Sequence, residues 1–264
     1  MKNIYRIAER SIQITSIYED IHRLCRDYQY SEQPIDFAVQ TDDSNHSLAH
    51  EQSDVDFAVQ TQPSDIDFER EKSAREDEVE DRMVRQFSDG YLETLAVYRK
   101  IAEKMPDYDT ILFHGSAVAV DGAAYLFIAK SGTGKSTHTR LWRELLGSRA
   151  VMINDDKPLI RVTDAGAIIY GTPWDGKHRL SSNIDVPLKA VCILTRGTEN
   201  HIEPVTAAEA YSMLLQQAYR PADPTSLSKT LNLIDKLAGT VSLWRLSCNM
   251  DPEAAKVSYE AMRR

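Results

Sequence analysis

Apolar and polar positions alternate over residues 4–8 and again over 11–14, which predicts two short strands. Ile17, Ile21, Leu24 and Tyr28 then recur at i, i+4, i+7 and i+11, one side of a helix for which Ser16 is a candidate cap. Residues 69–81 are dense in alternating charge, the pattern of an exposed helix. Leu92, Leu95, Tyr98, Ile101 and Ala102 mark a stronger helix over 91–104, stopped by Pro106. The pattern then changes. Residues 110–120 read as one apolar strand, turned by Asp121-Gly122 into a buried strand at 123–129. A glycine-rich loop at 130–135 leads into a helix at 136–146 that ends at Gly147. A strand at 150–153 runs into Asn154-Asp155-Asp156, and 159–162 pairs with 167–170 as a hairpin around Asp164-Ala165-Gly166. Residues 171–187 show no clear period, and 188–194 read as another buried strand. Thr206-Ala207-Ala208-Glu209 is a capping box for a helix to about 219. A helix near 224–238, a strand at 241–246 and a short helix after Pro252 follow. Strands alternating with helices predict an α/β fold, with a small N-terminal α/β region over 1–105 and a core over 106–264.

One segment repeats. Residues 36–41 read DFAVQT, residues 56–61 read DFAVQT again, and Ile66-Asp67-Phe68 echoes the start of the unit. Both copies alternate like strands. A solenoid needs at least three stacked units, so the repeat reads as a tandem duplication in a surface strand–loop region. His46, His50 and Glu51 lie between the copies; with no second cluster of metal ligands, they read as solvated loop residues.

Charge separates the two regions further. Residues 31–90 hold 17 Asp/Glu against 5 Lys/Arg, and the remainder holds 23 against 26. An acidic first third argues against nucleic acid and anionic membrane as main partners, because both need clustered Lys and Arg. The near-neutral remainder can host a local basic site for phosphate. With 42% hydrophobic and 27% charged residues, the chain of 264 can fill a packed core. Cys25, Cys192 and Cys248 form no C-x-x-C pair and read as buried free thiols in a reducing compartment. The first ten residues are charged, without the apolar stretch of a signal peptide, and no run reaches the roughly 18 apolar residues of a membrane helix. A cytoplasmic location is therefore expected.

The chemistry concentrates in Ala129-Lys130-Ser131-Gly132-Thr133-Gly134-Lys135-Ser136. Gly132 and Gly134 permit positive φ, so that successive N–H groups can face phosphate oxygens, and the next helix adds its positive end. The stretch Ser131, Gly132, Thr133, Gly134, Lys135, Ser136 and Thr137 is thus the expected nucleotide-binding segment. Lys135 would neutralise the β- and γ-phosphates, and Ser136 would place its hydroxyl on Mg²⁺. Asp155 and Asp156 end the following strand, where two adjacent carboxylates need a partner cation. Mg²⁺ supplies one, and the pair can divide the work: one carboxylate holds the metal while the other takes a proton from an attacking hydroxyl.

These residues resemble the core of phosphoenolpyruvate-carboxykinase-like kinases, and His114-Gly115 ahead of the loop strand is similar to a His-Gly of HPr kinase/phosphorylase. The resemblance spans roughly residues 111–194, with Ala129 standing where both relatives usually have Gly. It implies a P-loop kinase core on a mixed sheet, His114 near the transferred phosphate, and ATP, another nucleotide or pyrophosphate as donor with Mg²⁺. Small HPr-kinase-like enzymes of ribosomal-peptide tailoring pathways are similar in size.

The loop at 171–182 carries Pro173, Gly176 and the triplet Lys177-His178-Arg179, a stiff-cornered loop with cationic tips that could close on a phosphoryl group. Trp174 reads as packing, as do His138 and Trp142 on the loop helix, and Arg220 is a weaker candidate for phosphate contact. The expected function is an ATP-dependent kinase acting on a Ser or Thr hydroxyl of a peptide or small protein. A small-molecule alcohol kinase, a carboxykinase-like enzyme and a non-catalytic nucleotide-sensing module are the alternatives. Oligomeric state stays open.

Overall fold

Leu126 and Ile128 point to one side of a strand while Tyr125, Phe127 and Ala129 point to the other, and all five are buried. A strand covered on both faces reads as a continuous apolar run, and this one organises the larger part of the molecule. The computed structural model describes residues 1–30, 55–79, 81, 83–176 and 178–264. These divide into two compact units, Met1–Glu93 and Thr94–Arg264. The division falls inside a helix, ahead of Pro106.

In the first unit, β1 (Lys2–Ile7) and β2 (Arg10–Thr15) form an antiparallel hairpin through Ala8 and Glu9, both at positive φ. The second DFAVQT copy supplies β3 (Phe57–Gln60), parallel to β2. The first copy, with His46, His50 and Glu51, lies outside the described residues. Ile66-Asp67-Phe68 is not strand; it lies in α2 (Pro63–Val79), the expected charge-rich helix, although Glu69 and Asp77 are buried. The helix expected from Ile17 to Tyr28 shrinks to α1 (Asp20–Leu24) and a 3-10 turn. Ile17 is exposed, and Ser16 caps nothing: its hydroxyl donates to the Tyr18 carbonyl. The cause is distant in sequence. Glu93, fully buried on α3 (Asp89–Lys104), accepts the N–H groups of Ile17 and Tyr18 at 2.7 and 2.8 Å and so holds that segment in a bend ahead of α1.

Each end of the β3 copy is tied. Asp56 accepts the Ser11 N–H at 2.7 Å and pairs with Arg10, while Thr61 donates to Glu93 and its N–H bonds the Thr15 carbonyl. Residues 36–41 carry the same six side chains in the same order. Deleting residues 42–61 therefore leaves one complete copy joined directly to Gln62. The expected result is a melting temperature within about 3 °C of the parent, because shortening a connection changes closure entropy little. A drop of more than about 10 °C in a thermal scan would show that the two copies are not interchangeable.

Among the described residues, the second unit is built on a nine-stranded mixed sheet. The elements are β4 (Thr110–Leu112), β5 (Ser116–Val120), β6 (Ala123–Ile128), α4 (Lys135–Leu146), β7 (Ala150–Asn154), β8 (Leu159–Thr163), β9 (Gly166–Tyr170), β10 (Asp185–Arg196), β11 (His201–Pro204), α5 (Ala207–Gln217), α6 (Pro224–Thr240), β12 (Ser242–Cys248) and α7 (Glu253–Met262). Strand order is β4-β8-β9-β10-β6-β5-β7, with β12 parallel to β10 and β11 antiparallel to β12. β10 joins two halves: its start pairs with β9, and its end runs parallel to β6. The expected single strand over 110–120 is two. β4 pairs with β8 and β5 with β6, and the chain breaks at Phe113-His114-Gly115. One face of the sheet packs α5 and α6 through Leu214, Leu233, Ile234 and Leu237; the other packs Leu141 and Trp142 of α4 and Met262 of α7.

His138 and Trp142 are buried on that second face. The Trp142 indole N–H donates to Ser258 Oγ at 2.8 Å, and His138 Nε2 lies 3.0 Å from the same oxygen, tying α4 to α7. Burial pushes the His138 imidazole down to about 4. The unfolded chain takes up a proton near pH 6.5 that the fold refuses until about pH 4. Stability is therefore complete above pH 6.5 and lost as pH falls toward 4, by up to about 3 kcal/mol from this group. All three tryptophans lie in the second unit, so their fluorescence reports its unfolding. Between pH 7.5 and 5, the parent should lose about 2 kcal/mol more than His138→Gln. Equal losses would refute the assignment.

Candidate active site

The glycine-rich loop leaves the C-terminal end of β6 and enters α4. Gly132 (φ 74°) and Gly134 (φ 120°) hold the left-handed conformations that side chains resist, and a β-carbon on either would meet only open space. Ala129 keeps a negative φ, is fully buried, and so needs no glycine. Among the described residues no side chain caps α4, and its first N–H groups are directed out of the helix. Arg196, at the end of neighbouring β10, donates to the Gly132 carbonyl at 2.5 Å and braces the loop from below. Lys135 is buried and folds back, Nζ donating to the Ala129 carbonyl at 3.2 Å. Burial lowers its pKa, opposed by the Asp156 and Asp155 carboxylates.

Strand register delivers the remaining groups. β5 and β7 are both antiparallel partners in this part of the sheet, with Ser116 opposite Phe127 and Ala117 opposite Asn154. The start of β5 and the end of β7 thus meet beside the loop. Gly115 donates its N–H to the Asp156 carbonyl at 3.1 Å; an added β-carbon there would lie 2.7 Å from Leu126 and 3.1 Å from the Phe127 carbonyl. Asp155 is buried and accepts the Ser116 hydroxyl at 2.6 Å, and that hydroxyl lies 2.9 Å from Thr139 on α4. Asp156 is more exposed. Its Oδ1 lies 3.3 Å from His114 Nε2 and 3.6 Å from Lys157 Nζ.

The His114 tautomer follows from Gln217. Turned so that its nitrogen faces acceptors, the Gln217 amide donates to His114 Nδ1 at 3.3 Å and to the Ala129 and His114 carbonyls. Nε2 then carries the proton and faces the Asp156 carboxylate. Burial, followed by the Lys157 and Lys135 charges, pushes the His114 imidazole down to about 3. The ring is about a third exposed and faces a carboxylate, which opposes that shift, but it stays neutral at physiological pH.

Asn154 shapes the whole turn. Its side-chain oxygen accepts the N–H groups of Asp156 and Lys157 at 2.8 and 2.6 Å, and its nitrogen faces the Thr172 carbonyl and hydroxyl and the Trp174 carbonyl within 3.3 Å. One fully buried amide therefore fixes both the acidic pair and the start of the 171–182 loop. At Gly176 that loop passes so near Asp155 that a β-carbon would lie 3.1 Å from Oδ2.

Of the cationic triplet, His178 lines a cavity of about 590 Å³ together with Ser136, Thr137 and Asp155. Arg179 is exposed at φ 47°, and Lys177 lies outside the described residues. Arg220 is exposed and bonds the Leu215 carbonyl near the end of α5, so its guanidinium serves that helix. Trp174 is buried, donates to the Thr94 carbonyl and packs on Tyr98. Ser116, Asn154, Arg196 and Gln217 hold the named residues in place, and no sequence motif marks them.

A family model described as SynChlorMet cassette protein ScmC matches residues 84–233. The chain belongs to the ScmC family. No curated protein matches this ScmC-family chain. Among solved structures it is similar to the Hpr(Ser) kinase/phosphatase from Coxiella burnetii, at 9% identity over 58% of this chain and 99% of that one, with a TM-score of 0.30. A score that low does not equate the two folds. Among the described residues of this ScmC-family chain, no helix is long and apolar enough to cross a membrane.

Proposed function

We propose that this ScmC-family chain is a nucleotide-dependent phosphotransferase, moving the terminal phosphoryl group of ATP to a Ser or Thr hydroxyl of a peptide or small protein. The observation that carries this reading is convergence. Ser136 and Thr137 at the head of α4 share one cavity with Asp155 from the end of β7, and Lys135, Asp156 and His114 stand beside them.

The residues fit Mg²⁺. Among those described, no three His, Cys, Asp or Glu are grouped as a metal cage. Mg²⁺ needs none, being held by one or two carboxylates with a substrate's phosphates and water. Asp155, buried and fixed by Ser116, and the Ser136 hydroxyl would hold it, and when bound it would neutralise charge developing on the phosphates. Lys135 would swing from the Ala129 carbonyl to the phosphates. The loop N–H groups would bind the phosphate oxygens without reorganisation. Asp156, the more exposed carboxylate, would take the proton of the attacking hydroxyl, which is too weakly acidic to attack unaided. His114, neutral and held by Gln217, would orient Asp156.

Incubating the protein with Mg²⁺ and γ-labelled ATP against two panels, cell-extract peptides and small alcohols, tests the acceptor class. Label should appear in peptides. Label only in small alcohols would end the peptide reading. Label in neither, with tight ATP binding intact, would favour a nucleotide-sensing module.

A further inference from the structure

The cavity that begins at Ser136 and Asp155 continues along α4, and its charges are uneven. Arg140 pairs at 2.5 Å with Glu144, which lines the same cavity. Arg143, half-buried in the same wall, has no carboxylate partner among the described residues, and His178 adds a second polar group from the opposite loop. Met152 and Leu180 give the space between them an apolar floor. A guanidinium held half out of water beside apolar surface, without a counter-charge, is a site waiting for a carboxylate, since a planar cation of this kind binds one through two parallel hydrogen bonds.

Resting on the kinase reading above, we propose that this groove binds the acceptor peptide in extended form, with Arg143 engaging an acidic side chain about three residues from the accepting hydroxyl. The spacing comes from helix geometry. Ser136, Arg140 and Arg143 follow at i, i+4 and i+7, so they share one stripe of α4. Seven residues at about 1.5 Å each place Arg143 roughly 10 Å along the axis from Ser136. With the accepting hydroxyl at the phosphate held near Ser136, an extended chain rising about 3.3 Å per residue reaches Arg143, roughly 10 Å away, in about three residues. The apolar floor suits an aliphatic side chain between hydroxyl and acid. Arg143 and the acidic residue take no part in the chemistry; they set which peptide is held.

The test is a positional peptide library with one fixed Ser, in which each position from −5 to +5 is set in turn to Glu, Lys, Leu or Ala. It is read as kcat/KM with Mg²⁺-ATP for the parent, Arg143→Gln and Arg143→Glu. The parent should prefer Glu over Lys at three residues from Ser, on one side, by at least about tenfold, as expected for a charge-assisted pair. Arg143→Gln should lose that preference through KM rather than kcat, and Arg143→Glu should reverse it. Mg²⁺-ATP affinity by calorimetry should match the parent in both variants, which shows that they are folded. Transfer that ignores peptide charge, or an acid preference that survives Arg143→Glu, overturns this proposal and leaves the kinase reading standing. Transfer to no peptide, with label reaching small alcohols, overturns this proposal and the peptide reading on which it rests, while phosphoryl transfer itself stands.

Discussion

Asp156→Asn is expected to bind Mg²⁺-ATP as the parent does while transferring phosphate about 10²–10⁴ times more slowly, the usual cost of losing a general base. The amide keeps the shape of the carboxylate and can still meet His114 and Lys157, but it cannot accept the hydroxyl proton. Asp155→Asn should fail differently. Asp155 is buried, accepts the Ser116 hydroxyl and shares its cavity with Ser136, so its loss weakens the hold on the metal. That variant should need about tenfold or more Mg²⁺ to reach half its maximal rate, as metal ligands and their supports typically require. Magnesium titrations of initial rate separate the two. Full activity in both variants would reduce the pair to a structural turn.

Lys135→Ala and Ser136→Ala should abolish turnover. Lys135 is a buried cation at the head of α4 whose bond to the Ala129 carbonyl must break before it can reach a phosphate. Its loss removes one charge-assisted contact, worth about 1.5–3 kcal/mol, and with it neutralisation of the transferring group. Ser136→Ala removes the hydroxyl at the first turn of α4 and should raise the Mg²⁺ requirement as Asp155→Asn does. Measurable transfer above one hundredth of the parental rate in Lys135→Ala would be incompatible with its proposed role, on the order of the effect expected for such a group.

Much of this site was legible in sequence because its parts obey short-range rules. Gly132 and Gly134 signal positive φ, an apolar run before them signals a buried strand, and the strand before Asp155-Asp156 ends where its apolar pattern ends. The supports were not legible, because each acts across the sheet. Gln217 reaches His114 from the end of α5, and Arg196 reaches Gly132 from β10. Nothing in either local sequence announces this. Asn154 looked like one more polar residue before two acids, although it is the fully buried pivot of the turn. The break at His114-Gly115 was hidden because the flanks on both sides are apolar; it arises where β4 and β5 pair with different strands. β11 was missed because HIEP is short, largely exposed and polar. The helix read from Ile17 was overruled by the Glu93 carboxylate, 76 residues away.

On the proposed reading, the loop from Ser131 to Thr137 holds nucleotide phosphates through Lys135. Titration calorimetry of Mg²⁺-ATP into the full chain, parent and Lys135→Ala side by side, measures it most directly. One saturable site is expected in the parent, with affinity weaker by about 10–100-fold in the variant, the equivalent of one charge-assisted contact. Equal affinity in the two proteins, or no binding by the parent, would contradict it.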